Sequence, residues 1–456
     1  MNKIKVDITI VGAGLTGLTL AWYLTRAGKK VLLLDKNSRI GGAVETVCEN
    51  GFVFEKGPNT GVIGTAEIVE LFNDLKDKIQ VVVPVAASKN RWIWKKGKWH
   101  DLPSGHKGIT TPLFSLKDKL RMLGEPFRKP GTNPDETLAH MVERRLGHSF
   151  LDYAVDPFVS GIYAGDPYKL VTRYALPKLY NLEQKYGSFL VGAHKKRKEP
   201  KTELEKKVTR EVFSVKGGLG NLVNALANEI GTENILLNIS ALQINPTENG
   251  FNCVFQQKHQ EVCIVSEKVI TTCDGKSLPA ILKFIPSDLL NDASNAEYAR
   301  VIQVVAGYNH WEGINLNAFG GLVPSIEKRD ILGVLFPSSL FLSRAPQGGA
   351  LLSIFIGGIN KPEFFYKDDQ EIESMVLSEI KEMLNCSAKP DLLKIFRYEK
   401  AIPQYEKSTT ARLQAVERIQ TNYRGLILAG NLRDGIGMAD RVKQAKQIAQ
   451  QIIQQS

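Results

Sequence analysis

Cysteine is scarce: the 456 residues include five, Cys48, Cys253, Cys263, Cys273 and Cys386. An odd count with no Cys-x-x-Cys spacing gives no disulfide framework, no thiolate metal clamp and no redox dithiol. The seven histidines form neither an HxxxH nor an HExxH pair, so no metal site is expected. No apolar run approaches the roughly 18 residues that span a bilayer, and no leader-like segment precedes the strand-like run that starts at Val6. A cytoplasmic chain is expected, peripheral at most on the inner face of the cell membrane. Helix-turn-helix, zinc-finger and RRM signatures are missing, so the formal charge of +11 does not signify nucleic acid. It suits anionic lipid head groups or a carboxylate-bearing substrate, or it is simply solvated lysine.

What is present begins with length, which suggests two or three domains. Residues 6–11 (VDITIV) read as a buried strand, 15–26 as a helix with Leu15, Leu18, Trp22 and Thr25 on one face, and 31–35 (VLLLD) as a second strand. Gly12-Ala13-Gly14-Leu15-Thr16-Gly17 is GxGxxG in its full context, directly after a strand and opening a helix. Gly12 permits the tight turn, Gly14 lets backbone approach a pyrophosphate, and Gly17 lets helix and strand pack closely. The helix N-terminus favours phosphate charge. Asp35 ends the second strand, where an acid accepts hydrogen bonds from a ribose. Arg39-Ile40-Gly41-Gly42 follows, and many FAD enzymes of the glutathione-reductase and amine-oxidase types carry RxGG at this place. Gly430-Asn431, with Gly435 and Gly437 before the last helix, resembles the carboxy-terminal FAD contact of the same enzymes. There a helix N-terminus faces the pyrimidine end of the flavin, where negative charge gathers on reduction. The two glycine segments together select FAD over NAD.

Between these ends the texture changes. Helical signals dominate residues 113–210, with a helix start at Asn133-Pro134-Asp135-Glu136 and a stop at Gly147. The basic run 194–207 reads as an exposed connection. A helix follows the glycines of residues 217–220. Strand-like runs return at 235–272 and 301–358, then a strand at 425–429 and a closing helix from about Asp440.

Five segments carry a family resemblance. They are Ser160-Gly161-Ile162-Tyr163-Ala164-Gly165-Asp166-Pro167, Asn90-Arg91-Trp92-Ile93-Trp94, Leu102-Pro103-Ser104-Gly105, Ala401-Ile402-Pro403-Gln404-Tyr405 and Glu55-Lys56-Gly57-Pro58-Asn59. With them the chain resembles the oxygen-dependent protoporphyrinogen oxidases, of the amine-oxidase-like superfamily, over nearly its whole length. The resemblance implies an α/β fold: an FAD-binding Rossmann-like domain of glutathione-reductase/amine-oxidase type, an antiparallel-sheet substrate domain and an inserted helical, membrane-contacting domain. The FAD-binding part takes residues 1–85, 208–280 and 396–456, the substrate part 86–110 and 281–395, and the helical insert 111–207.

The implied activity is FAD-dependent oxidation of protoporphyrinogen IX, or alternatively coproporphyrinogen III, with oxygen as acceptor and peroxide as product. Arg91 would bind a propionate, because a guanidinium pairs with a carboxylate in two hydrogen bonds. Leu322, Leu335 and Phe355 would line the macrocycle. Gly161 and Gly165 would bring backbone near substrate and flavin, with no general base assigned. Cofactor contacts would come from Gly12, Gly14, Gly17, Asp35, Lys36, Arg39, Gly41, Gly42, Gly57, Pro58, Asn59, Ile239, Thr272, Gly430, Asn431, Gly435, Ile436, Gly437 and Met438. Hand-off to a ferrochelatase is a further implied partnership, and the chain would be a monomer or a homodimer. Three places depart from the pattern: Ala43 stands where amine oxidases often have Arg, Asp440 where many relatives have Arg, and Glu406-Lys407-Ser408 lacks the common Gly-His. An amine oxidase or a carotenoid desaturase on the same fold, or a non-catalytic tetrapyrrole carrier, are the competing readings.

Overall fold

The structure is a computed structural model that describes residues 2–85, 90–103 and 107–455. Ser104 and Gly105 of the Leu102-Pro103-Ser104-Gly105 segment lie outside the described residues. Strands β1 (Asn2–Val11) and β2 (Val31–Leu34) are joined by helix α1 (Leu15–Arg26) and run parallel, with Ile8 opposite Val31 and Val11 opposite Leu34. On the other side of β1 lies β3 (Gln260–Thr271), also parallel, in register from Asn2–Val262 to Val11–Thr271. The short strand β4 (Leu426–Leu428) extends the sheet beside the end of β3. The runs VCIVS and KVITTC, separate in the sequence reading, thus belong largely to one strand.

These strands are apolar on both sides because both faces are covered. Ile8, Ile10 and Leu33 pack with α1 on one face, while Leu32, Leu34, Val269 and Leu428 pack on the other. The result is a common edge. Gly12 follows β1, Asp35 follows β2, Thr272 follows β3 and Ala429 follows β4. Ligands of open α/β sheets bind outside such carboxyl ends, at the point where strand order reverses.

The second sheet has the order Leu392–Pro403, Tyr298–Tyr308, Ala350–Gly357, Ile331–Leu335, Gly320–Leu322, Arg91–Lys95 and Lys98–Asp101. It is antiparallel except where Arg91–Lys95 pairs with Gly320–Leu322. One face, with Trp94, Ile302, Val304, Val334 and Ile354, is buried with Ile372, Val376 and Ile380 of the helix Asp369–Leu384. The opposite face looks toward the first sheet's loops and the helical region.

The helical region includes α2 (Leu116–Leu123) and α3 (Asp156–Tyr163). Two local expectations change here. The helix expected to start at Asn133 begins at Leu138, because Asn133 Oδ1 accepts from the Asp135 amide in a turn and Thr137 Oγ1 performs the cap. The basic run 194–207, expected as a connection, is largely helix, within Phe189–Arg197 and Glu203–Lys206. The closing helix α4 (Met438–Gln454) starts at Gly437 and packs in the same core as α1.

Candidate active site

At the common edge of the first sheet, the three glycines of GxGxxG divide by physical cause. Gly12 has φ +111°, and an ideal Cβ there would lie 2.5 Å from Thr272 Oγ1. A Cβ on Gly17 would lie 1.9 Å from the Gly12 carbonyl. Packing of the chain on itself requires both. Gly14 is different: a Cβ there would meet only Gly42 Cα, at 3.9 Å. Open room is therefore kept between the α1 N-terminus, which no side chain caps, and the Arg39–Gly42 loop. A cradle of this size beside free helix amides suits a phosphate group.

The surrounding residues hold this cradle. Asp35 is buried; its Oδ2 accepts from the Ala13 amide (2.7 Å) and its Oδ1 from the Asn37 amide (2.8 Å). Thr272 Oγ1 donates to the Val11 or Gly12 carbonyl (3.1 and 3.0 Å). The Ile239 amide donates to the Asp35 carbonyl. Lys36 is exposed beside this turn. The Arg39 guanidinium donates to the carbonyls of Ile40, Val44 and Gly42 and pairs with Glu45 at 2.9 Å, so it shapes the Gly41-Gly42 loop. Gly57 (φ +108°) has no room for a side chain of its own, since a Cβ on it would lie 2.2 Å from the Ala43 carbonyl oxygen. Asn59 is buried and donates to the Gly57 carbonyl, and Pro58 stands between them.

Residues far away in sequence complete the edge. Gly430 follows β4 and is gripped at both ends by Gln444 of α4, which accepts from its amide (2.8 Å) and donates to its carbonyl (3.2 Å). The Asn431 carbonyl accepts from the buried Tyr405 hydroxyl at 3.2 Å. Gly435 takes φ +92°. Ile436 packs in the helical-region core, and Gly437 and Met438 open α4. Two helix N-termini, α1 and α4, thus flank one crevice.

The expected substrate residues share one face of the second sheet. Arg91, Gly320, Leu335 and Ser353 lie in one row across four strands, and Ile93, Leu322, Gly333, Phe355 and Gln303 in the next. Residues two apart on a strand point the same way. Arg91, Leu322, Leu335 and Phe355 therefore line a single surface. At its far end Gln303, fully buried, accepts from the Gly57 amide (3.2 Å) and donates to the Glu55 carbonyl and Ser353 Oγ (both 2.8 Å). This joins the surface to the Glu55–Asn59 turn. The α3 segment covers the surface at Gly161, where a Cβ would lie 2.5 Å from Leu322 Cδ2. Gly165 abuts Gln404, whose Nε2 donates to the Tyr163 carbonyl (2.9 Å).

Arg91 reaches solvent, yet the protein around it desolvates the guanidinium and lowers its pKa. It lies over the Phe319 ring at 5.5 Å, and among the described residues no carboxylate pairs with it. The sequence reading missed Gln303, Gln444 and His100, which pairs with Ile93 and so shares its face. A lone amide or imidazole inside a strand or helix carries no local signal.

Known proteins share this arrangement of sequence and fold. Residues 15–453 match the family of flavin containing amine oxidoreductases. The chloroplastic protoporphyrinogen oxidase of Oryza sativa subsp. japonica is 30% identical over 99% of the chain and 88% of its own length. The chain belongs to the flavin-containing amine oxidoreductases, in the protoporphyrinogen oxidase family. This family member is an FAD-dependent oxidoreductase, and the cradle at Gly14, the acid at Asp35 and the paired helix ends fit FAD. It is also similar to the mitochondrial protoporphyrinogen oxidase of Nicotiana tabacum (29% identity, covering 94% and 91% of the two chains). Coproporphyrinogen III oxidase of Bacillus subtilis (strain 168) is 24% identical, covering 98% and 97%. A crystal structure from Exiguobacterium sp. 255-15 shares the fold over all of both chains, with a TM-score of 0.81 at 22% identity.

Proposed function

We propose that the protein oxidises a porphyrinogen to the porphyrin, with protoporphyrinogen IX as substrate and molecular oxygen as final acceptor. The observation that carries this is Arg91: a partly desolvated guanidinium without a carboxylate partner among the described residues, at one end of an apolar face that runs to the flavin-side turn. A propionate satisfies that guanidinium with two charge-assisted hydrogen bonds. Leu322, Leu335 and Phe355 supply a flat apolar bed for the macrocycle, and the backbone at Gly161 and Gly165 closes over it. FAD, when bound, accepts the hydride equivalents and returns electrons to oxygen. The chain's own part is to hold FAD through the residues at the sheet edge, to orient the ring and to exclude water.

The division of the chain follows the same reading: residues 1–85, 208–280 and 396–456 bind FAD, 86–110 and 281–395 bind substrate, and 111–207 form the helical insert. The insert also favours a membrane surface. No helix among the described residues is long and apolar enough to cross a bilayer. Leu116, Leu120 and Leu123 of α2, however, are exposed on one helix face, and Phe127 beyond it is 90% exposed. The exposed Lys195, Lys196, Arg197 and Lys198 follow on the helix Phe189–Arg197 and its end, which packs against this turn. Such a basic, apolar surface suits anionic lipid, and delivery of product to a ferrochelatase there is the matching partnership.

The test is porphyrin fluorescence and oxygen uptake by the flavin-loaded protein, with protoporphyrinogen IX and coproporphyrinogen III side by side. Porphyrin formation with peroxide is expected. Faster turnover of coproporphyrinogen III would reassign the substrate, and no porphyrin from either would remove the proposal.

A further inference from the structure

Arg441 is buried, with 7% of its surface exposed, in the first turn of α4. A cation at a helix N-terminus opposes the helix dipole, and burial adds a desolvation cost that lowers its pKa. Among the described residues no carboxylate hydrogen-bonds it. Its Nη1 donates to Gln444 Oε1 (3.0 Å) and its Nη2 to the Arg433 carbonyl (2.8 Å), while Nε has no partner among the described residues. Asp434 and Asp440 offset its charge from a distance, and Arg433 adds to its field. Gln444 in turn grips both backbone groups of Gly430 and the Asp434 carboxylate. A buried, incompletely compensated cation therefore sits under the loop from Gly430 to Gly437, at the end of a helix whose own dipole is positive there. In the chain alone both features are unfavourable. Facing an anion, both become favourable.

We propose that Arg441 is a positioning and tuning residue for the flavin. Its charge adds to the α4 N-terminus and favours the reduced cofactor, whose pyrimidine edge carries negative charge, so that the bound flavin has a raised midpoint potential. The proposal rests on the FAD assignment and is independent of the substrate.

The experiment measures the midpoint potential of the purified holoprotein by dye-coupled equilibration, together with FAD content, for wild type, Arg441→Gln and Arg441→Lys. Glutamine keeps a donor for the Arg433 carbonyl without the charge; lysine keeps both. Arg441→Gln should retain FAD while the equilibrium shifts roughly tenfold toward the oxidised form, about 30 mV for a two-electron couple. Arg441→Lys should match wild type at the acid end of the pH range in which FAD stays bound, where a buried ammonium keeps its proton. Its potential should then fall relative to wild type at higher pH, as a buried ammonium loses its proton. An Arg441→Gln protein with bound FAD at the wild-type potential would overturn the proposal. So would an equal fall in both variants at every pH, which would assign the effect to hydrogen bonds, or partial FAD loss without any shift in the potential of the bound flavin, which would assign Arg441 to binding alone. A wild-type protein that takes up no FAD would overturn the proposal and the cofactor assignment together.

Discussion

At the edge where β1, β2, β3 and β4 end, polar groups are already bonded to protein. Both Asp35 oxygens accept backbone amides, Thr272 reaches the Val11 and Gly12 carbonyls, Arg39 holds three carbonyls of its own loop, and Gln444 holds Gly430. Across the molecule, the face of the second sheet presents the apolar Leu322, Leu335 and Phe355 and an Arg91 that pairs with no carboxylate among the described residues. The first region is shaped by backbone and fixed in advance. The second is shaped by side chains and left incomplete. Cofactor binding should accordingly fail when backbone space is filled, and substrate binding when one side chain is trimmed.

Gly17→Ala should give the largest effect. Its methyl would press on the Gly12 carbonyl, so α1 must move off β1. Near-complete loss of bound FAD is expected, read from flavin absorbance after gel filtration; full retention would deny that the backbone shapes this region.

Next comes the helical insert, which buries a charged cluster beside its apolar core. Arg145 is fully buried between Glu125 (2.7 Å) and Glu183. Removing one member of a buried pair costs about 3–5 kcal/mol, so Arg145→Ala should lower the melting temperature by several degrees. Burial alone would raise the Glu183 carboxyl, but hydrogen bonds from Arg144 and Arg145 hold it below the ordinary range. A carboxyl depressed in the folded state stabilises above its unfolded value, about 4.3. That contribution is lost as pH falls through the folded value. Circular-dichroism melts should therefore show the variant's deficit shrinking below about pH 4.3; a deficit independent of pH would assign it to packing.

The smallest effect concerns α2. Leu120→Ser with Phe127→Ser should reduce co-sedimentation with anionic vesicles several-fold and leave turnover of dispersed substrate unchanged. Equal sedimentation would return this stripe to plain solvent-facing surface.

The contrast between the regions also explains what the sequence discloses. Gly12, Gly17, Asp35 and Gly430 are legible because backbone demands restrict residue type at fixed spacing. The β1–α1–β2 unit and the closing strand and helix are read to within two residues for the same reason, except that β1 begins at Asn2, four residues before the expected Val6. Strand pairing is not legible: nothing local shows that Arg91 lies opposite Gly320 or that Gln303 meets Gly57. The start at Asn133 misleads because Asn and Pro suit a turn as well as a helix start, and Thr137 is four residues on. Arg441 reads as one more charge until its burial is seen.

The most direct test of the account compares Arg91→Ala with wild type for porphyrinogen KM, kcat, FAD content and melting temperature. A KM raised about tenfold is expected, equivalent to about 1.4 kcal/mol, with FAD content and melting temperature unchanged because Arg91 pairs with no carboxylate among the described residues. An unchanged KM, or loss of FAD, would contradict it.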